Sequence, residues 1–228
     1  MRSNFINKEH DISQKLSDYY IKNPYEGKKY YGVTRVLSET KSEADKASLE
    51  RWRERIGHDA ADAILQESLK IGNSLDEMLE KYLNKELGNI LDYKEEPGAK
   101  LFLQIRSHID KLDPVGTQIH LYDDEWKIQG FLDCIAIVKN KDVYQLTMID
   151  FKNSLKKKDP SYIKDYYLQA TIYCLLLYRM TGILINDIKI MIAVRDGFTV
   201  QIFNSKIKEH MNEAIERINA YRLIHASK

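Results

Sequence analysis

Cysteine is scarce in this chain, with only Cys134 and Cys174 among 228 residues. Both lie in apolar stretches without metal-ligand spacing, which argues against a disulfide framework or a thiolate metal site and leaves buried free thiols as the expectation. Long hydrophobic runs are missing too: none approaches the roughly 20 residues that a membrane-spanning helix needs. The opening stretch MRSNFINKEHDISQKLSDYY has no apolar segment and mixes both signs of charge. Neither a secretory signal nor a transit peptide is expected from it, and the expected address is intracellular and soluble. An excess of one charge is absent as well, since 35 Lys and Arg face 34 Asp and Glu for a net charge of +1. A uniformly basic nucleic-acid coat is therefore excluded, while a local basic surface is compatible with that balance and DNA binding stays open. There is no internal repeat and no low-complexity segment.

What the chain does have is an ordinary globular composition, 43% hydrophobic and 30% charged, enough for one respectable core. Tyrosine is abundant, 15 against 6 phenylalanines, which suits surfaces that are half apolar and half wet. Residues 1–29 show no sustained periodicity and read as an arm with one short helix, ordered by docking. Next, Thr40-x-x-Glu43 forms a capping box before a helix on which Leu49, Trp52, Ile56, Ala60, Ala63 and Ile64 recur at helical spacing. A second helix, GNSLDEMLEKYLNKELG, stripes Leu75, Met78, Leu79 and Tyr82. A third, after Pro97, stripes Leu101, Ile105, His108 and Ile109.

Past Pro114 the period changes from helical to two. TQIHLYDD, KIQGFLDCIAIV and VYQLTMIDFK read as strands, the last two joined by the turn KNKD at 139–142 as an antiparallel hairpin. Asp159 and Pro160 supply the cap and first turn of a helix running to about Met180 and stopped by Gly182. Strands DIKIMIAV and FTVQIF flank the turn RDG, and an amphipathic helix from about Lys206 follows. The expected fold is mixed α/β (α+β), a central mixed sheet of about five strands flanked by helices. The expected domain is one unit over 30–228, with a helical part at 30–113 and a sheet-containing part at 114–228.

Within MIDFKNS, residues i and i+2 of a strand point the same way, so Asp150 and Lys152 share one face while Ile149 and Phe151 share the other. Asp133 lies in the apolar run GFLDCIAIV, and the hairpin brings it roughly opposite residues 148–150. Two carboxylates then stand about 5 to 8 Å apart, as opposed or diagonal cross-strand neighbours do. They cannot both stay ionised that close without a cation. A hard divalent ion such as Mg²⁺ satisfies them, with Lys152 placed to hold or deprotonate its water or to neutralise charge on phosphorus. The plainer reading of Asp-x-Lys is a solvated, salt-bridged face; Asp133 amid Phe131, Leu132, Ile135 and Ile137 resists it, because a buried aspartate needs a partner.

Gly130-Phe-Leu-Asp133, then Asp150-Phe-Lys152, then Gln169-x-x-x-Tyr173 on the following helix resembles the PD-(D/E)XK nuclease superfamily, in its RecB-like branch. VTRVL, LERWRER and GNSLDEMLE look like the corresponding stretches of the group that includes the mitochondrial genome maintenance exonuclease and its phage relatives. The resemblance implies a Mg²⁺- or Mn²⁺-dependent exonuclease acting on DNA, single-stranded and with free ends, in replication, repair or processing, with no organic cofactor. An endonuclease of the same superfamily and a non-catalytic DNA-binding module with a decayed site are the alternatives.

Carried over residue by residue, Asp133, Asp150 and the Phe151 carbonyl would be metal ligands and Lys152 the catalytic lysine. Gln169 and Tyr173, four apart on one helix face, would line the site beside them. The branch commonly has a histidine ligand in G-x-x-x-H, whereas Gly72 is followed by Asp76 here; aspartate is a legitimate oxygen ligand, and retention or loss of that role stays open. Glu80, one turn on, matches the family and could support the site. For the substrate, a basic groove with stacking aromatics is required. The candidates are Tyr30, Tyr31, Thr34 and Arg35 near the arm, Trp52 and Arg53 on the first long helix, and Ser154, Lys156, Lys157 and Lys158 past the active strand.

Overall fold

The structure is a computed structural model and describes residues 3–140, 143–197 and 199–226. Helices α1 (Ser3–Lys22), α2 (Val33–Glu39), α3 (Glu43–Ile56), α4 (His58–Leu83) and α5 (Ala99–Ile109) occupy the first half, interrupted by the two-residue strand β1 (Tyr31–Gly32). Strands β2 (Asp113–Asp123), β3 (Ile128–Asn140) and β4 (Val143–Ser154) follow. Then come α6 (Lys164–Thr181), β5 (Asp187–Val194), β6 (Thr199–Lys206) and α7 (Met211–His225). Residues 141 and 142 of the expected hairpin turn lie outside the described residues, but the pairing on either side is antiparallel as the turn requires.

The sheet runs β1-β3-β4-β5-β6, with β2 on the other side of β3. It is mixed because β4 and β5 run parallel, and α6 makes the crossover between them. One core, holding Leu132, Ile135, Leu146, Met148, Ile190 and Ile192, lies against α1, α2, α6 and α7. The other, with Cys134, Ile149, Phe151 and Met191, lies against α4 and α5. A sheet covered on both faces explains the near-continuous apolar strands β4 and β5. Cys134 and Cys174 are buried free thiols, as expected.

Five expectations need correction. The first is the arm, which is built on a 20-residue helix: Ile12 and Leu16 are buried in the core, and Tyr19 and Tyr20 donate their hydroxyls to the carbonyls of Tyr122 and His120 on β2. Its docking face is largely tyrosine, which weakens the apolar stripe by which helices are recognised.

The second is the boundary between the first two long helices. Gly57, at φ 89°, ends α3, and α4 runs unbroken through Gly72 for 26 residues, where a break was expected. Glycine inside a helix is unfavourable, and here close packing accounts for it, since a Cβ on Gly72 would stand 3.0 Å from Nδ2 of Asn153 on β4. Thr40 is not the cap of α3: its hydroxyl donates back to the Val36 carbonyl, and Ser42 accepts from the Asp45 N–H instead. Lastly, Asp159 caps a short 3₁₀ turn, Pro160–Tyr162, and α6 starts beyond it; α7 likewise begins at Met211, after a 3₁₀ turn, and not at Lys206.

The seat of α4 on the rest of the molecule is fixed by Gly98 at the start of α5. A Cβ there would meet the Leu75 backbone nitrogen at 2.5 Å, and a backbone atom cannot swing aside as a side-chain tip can. Gly98→Ala should therefore cost about 1 to 3 kcal/mol of stability, the range of overpacking substitutions. A urea midpoint unchanged from wild type would contradict this close contact.

Candidate active site

β3 and β4 pair from Asn140↔Val143 back to Cys134↔Ile149, and there the ladder stops. The next position on β3 is Asp133. Its Oδ2 accepts the Phe151 N–H at 2.8 Å, so a carboxylate continues the ladder where the two strands part. The irregularity extends to β2. By register Asp133 faces Gln118, which adopts φ 45°, and the alternation slips there, so that Leu132 and Ile135, three residues apart, both face the first core.

On β4 the alternation is as read from the sequence. Ile149 and Phe151 are buried against α4 and α5, while Asp150 and Lys152 share the α6 face in line with Ile190 and Ile192 of β5. The Lys152 ammonium stands 2.7 Å from both oxygens of Asp150 and 3.3 Å from the Phe151 carbonyl. Only the contact to Oδ1 has hydrogen-bond geometry, so Oδ2 of this fully buried aspartate is left without such a bond. Asp76 approaches from α4, and its carboxyl senses both strand aspartates and Lys152. On α4, Gly72 lets β4 come close one turn before Asp76, and Arg195 clamps the helix further back through Glu67 at 3.1 Å and Ser68 at 2.9 Å.

Electrostatics follow from burial. Desolvation, reinforced by Asp133, pushes the Asp76 carboxyl up to about 7, with Lys152 pulling the other way. Desolvation likewise lifts Asp150 to about 7 against the pull of Lys152, with Asp133 adding to the rise. Asp133 is raised by burial despite Lys152 and the Phe151 N–H. For Lys152 burial opposes the charge, but Asp150 and Asp133 outweigh it and hold the ammonium above its ordinary value. Three carboxylates thus share one ammonium.

Helix α6 closes the site. Gln169 donates to the Tyr173 hydroxyl at 3.1 Å. The Tyr173 ring lies where a Cβ on Gly130 would be, 2.5 Å from Cε1, so the glycine three residues before Asp133 is the hollow that admits it. Sequence reasoning missed Tyr166, whose ring lies 5.7 Å from the Lys152 ammonium. The spacing Tyr166, Gln169, Tyr173 is i, i+3, i+7, one helix face, and that signal was available.

The residues expected at the substrate are dispersed. Thr34 is exposed on the first turn of α2; Arg35 pairs with Glu39 at 2.6 Å and lies over the Tyr31 ring. Trp52 is half-buried on α3, and Arg53 pairs with Asp62 at 2.8 Å, tying α3 to α4. Tyr30 is engaged by Asp124. The Ser154 hydroxyl donates to the Lys156 carbonyl, and the Lys158 N–H to Gln201, shaping the turn after β4. The side chains of Lys156 and Lys157 are exposed. Glu80 is half-buried on α4.

The sequence pattern of the PD-(D/E)XK nuclease superfamily matches residues 22–222. The chain belongs to that superfamily. No curated protein matches it. Of the solved structures similar to it, the crystal structure of SSO0001 shares 15% identity over 93% of this chain and 85% of that one, with a TM-score of 0.33.

PD-(D/E)XK nucleases use divalent metals, typically Mg²⁺ or Mn²⁺. Among the described residues no three His, Cys, Asp or Glu side chains stand together as a ready-made cage. The donors present nonetheless fit such an ion, because Mg²⁺ takes one or two protein carboxylates and completes its shell with water and phosphate. Asp150 Oδ2 is a buried oxygen lacking a hydrogen bond, beside further carboxylates held above their ordinary range.

The raised Asp76 carboxyl makes stability depend on pH. A carboxyl near 7 in the folded protein and about 3.9 in the unfolded chain binds more protons when folded. Its contribution is fully present below the unfolded value and is lost as pH rises through about 7. In the metal-free protein, stability should fall between pH 5 and pH 8 more steeply for wild type than for Asp76→Asn. His210, lowered by burial, pulls in the opposite sense in both proteins and cancels in the comparison. Urea midpoints at the two pH values measure the difference; equal slopes would contradict the burial assigned to Asp76.

Proposed function

We propose that the chain is a metal-dependent DNA exonuclease that hydrolyses phosphodiester bonds at free ends of single strands. The observation that supports this most is the fork between β3 and β4, where Asp133 and Asp150 flank a lysine still bearing its proton. Asp133, Asp150 and the Phe151 carbonyl are the groups that would hold Mg²⁺ or Mn²⁺, with Asp76 as the further oxygen donor from α4. Bound there, the ion would neutralise the carboxylates and polarise a scissile phosphate.

Lys152 is charged in the metal-free protein, which suits it to neutralise charge gathering on phosphorus better than to abstract a proton. Its ammonium rests on Asp150 and is covered by Tyr166, so it is pre-positioned and costs little reorganisation when a phosphate arrives. Tyr173, held by Gln169, fills the hollow at Gly130 and fixes the approach of α6 to Asp133. Exonuclease action on single strands rests on the likeness of VTRVL, LERWRER and GNSLDEMLE to the exonuclease group of the RecB-like branch.

Labelled linear single-stranded DNA should be degraded in Mg²⁺ or Mn²⁺ and left intact in EDTA. Lys152→Ala and Asp150→Asn should each lower the rate by at least about 100-fold, as loss of a group that stabilises transition-state charge does, while circular dichroism stays unchanged. Undiminished digestion by either variant sinks the assignment of these residues. A covalently closed single-stranded circle should survive; its cleavage would make the enzyme an endonuclease.

A further inference from the structure

The turn between β4 and α6 carries side chains that the site chemistry leaves unused. Tyr162 ends the 3₁₀ turn with 74% of its surface exposed, and its ring and hydroxyl have no partner among the described residues. The turn beneath it is firm. Asp159 accepts from the Ser161 N–H and hydroxyl at 2.9 and 2.7 Å, its carbonyl takes the Tyr162 N–H at 2.9 Å, and the next residue, Ile163, is buried in the core. A rigid support under a bare aromatic ring is unlike the yielding loop on which exposed side chains usually sit.

The charges around it are equally selective. Lys41 is paired with Asp165 at 3.3 Å and Lys164 with Glu213 at 2.9 Å, whereas the exposed ammonium groups of Lys156 and Lys157 have no ion-pair partner among the described residues. Four residues beyond Tyr162, Tyr166 covers the Lys152 ammonium. The bare ring thus stands at the end of the turn that leads into α6, and Tyr166 lies in the first turn of that helix.

We propose that Tyr162 is a stacking platform for an unpaired base, and that Lys156 and Lys157 hold backbone phosphates of the same strand beside the phosphate brought to Lys152. The occupant is single-stranded nucleic acid. Unpaired cations match its phosphates, and a bare ring matches a base face that a duplex keeps inside its own stack. This rests on the nuclease reading of the site, but its test is separable from it.

Binding of fluorescent single-stranded and duplex oligonucleotides is followed by anisotropy in EDTA across a salt series. Tyr162→Ala should weaken single-strand binding about 5- to 150-fold, the effect of losing one stacked base, with the salt slope and duplex affinity unchanged; Tyr162→Phe should restore it. The double variant Lys156→Ala, Lys157→Ala should instead flatten the salt slope by about 1.4, from roughly 0.7 per phosphate contact. Wild-type affinity in Tyr162→Ala, or an equal loss on duplex, overturns the platform, and an unaltered slope in the lysine variant overturns the phosphate contacts. Should wild type bind as described and yet fail to cleave in Mg²⁺ or Mn²⁺, the nuclease reading falls while the single-strand surface stands.

Discussion

The structure turns on one hydrogen bond, from the Phe151 N–H to the Asp133 carboxylate. A backbone ladder that simply stopped would leave that donor buried without a partner, at a cost of about 1 to 3 kcal/mol. Supplying a carboxylate instead satisfies the donor and opens the strands at the same point. It also creates a new problem, since a second aspartate follows on β4 and a third reaches in from α4, with a single ammonium to balance them. Taking an ion out of water costs several kcal/mol unless it is paired. Burial, with the like charges adding to it, lifts the carboxyls of Asp76 and Asp150 above their ordinary range, and a cation is the chemical remedy.

The rest of the fold serves to hold the imbalance in place. Parallel β4 and β5 require a crossover, and α6 fills that role as a helix buried along most of its length. Burial fixes its rotation, and so Tyr166, Gln169 and Tyr173 face the fork together. Gly130 and Gly72 act as paired recesses, one admitting Tyr173 and the other admitting β4 to α4. In each case a missing side chain sets how closely two elements approach.

Much of this was legible before any coordinates. Alternation over Leu146 to Lys152 fixed which side chains share a face, and the hairpin placed Asp133 against Asp150 within a residue. Where the chain misled, the cause was local. Helix α1 docks through tyrosines that bond to carbonyls, so its inner face does not look apolar. The spacing Leu49, Trp52, Ile56, Ala60 runs on across the end of α3, a helix with no buried residue, and the true stop is the positive φ of Gly57. The pairing of β1 with β3 spans two residues on a strand nearly a hundred positions away, too little to leave a pattern. Tyr166 stands three residues before the Gln-x-x-x-Tyr motif and so lies outside it.

The crossover at α6 has one more consequence. Chain that must travel from the end of one strand to the start of a helix emerges at the carboxyl rim of the sheet, two residues past Lys152. From Leu155 to Ser161 it contributes no side chain to either core. Replacement or lengthening there leaves both cores and the cluster of acids around Lys152 untouched.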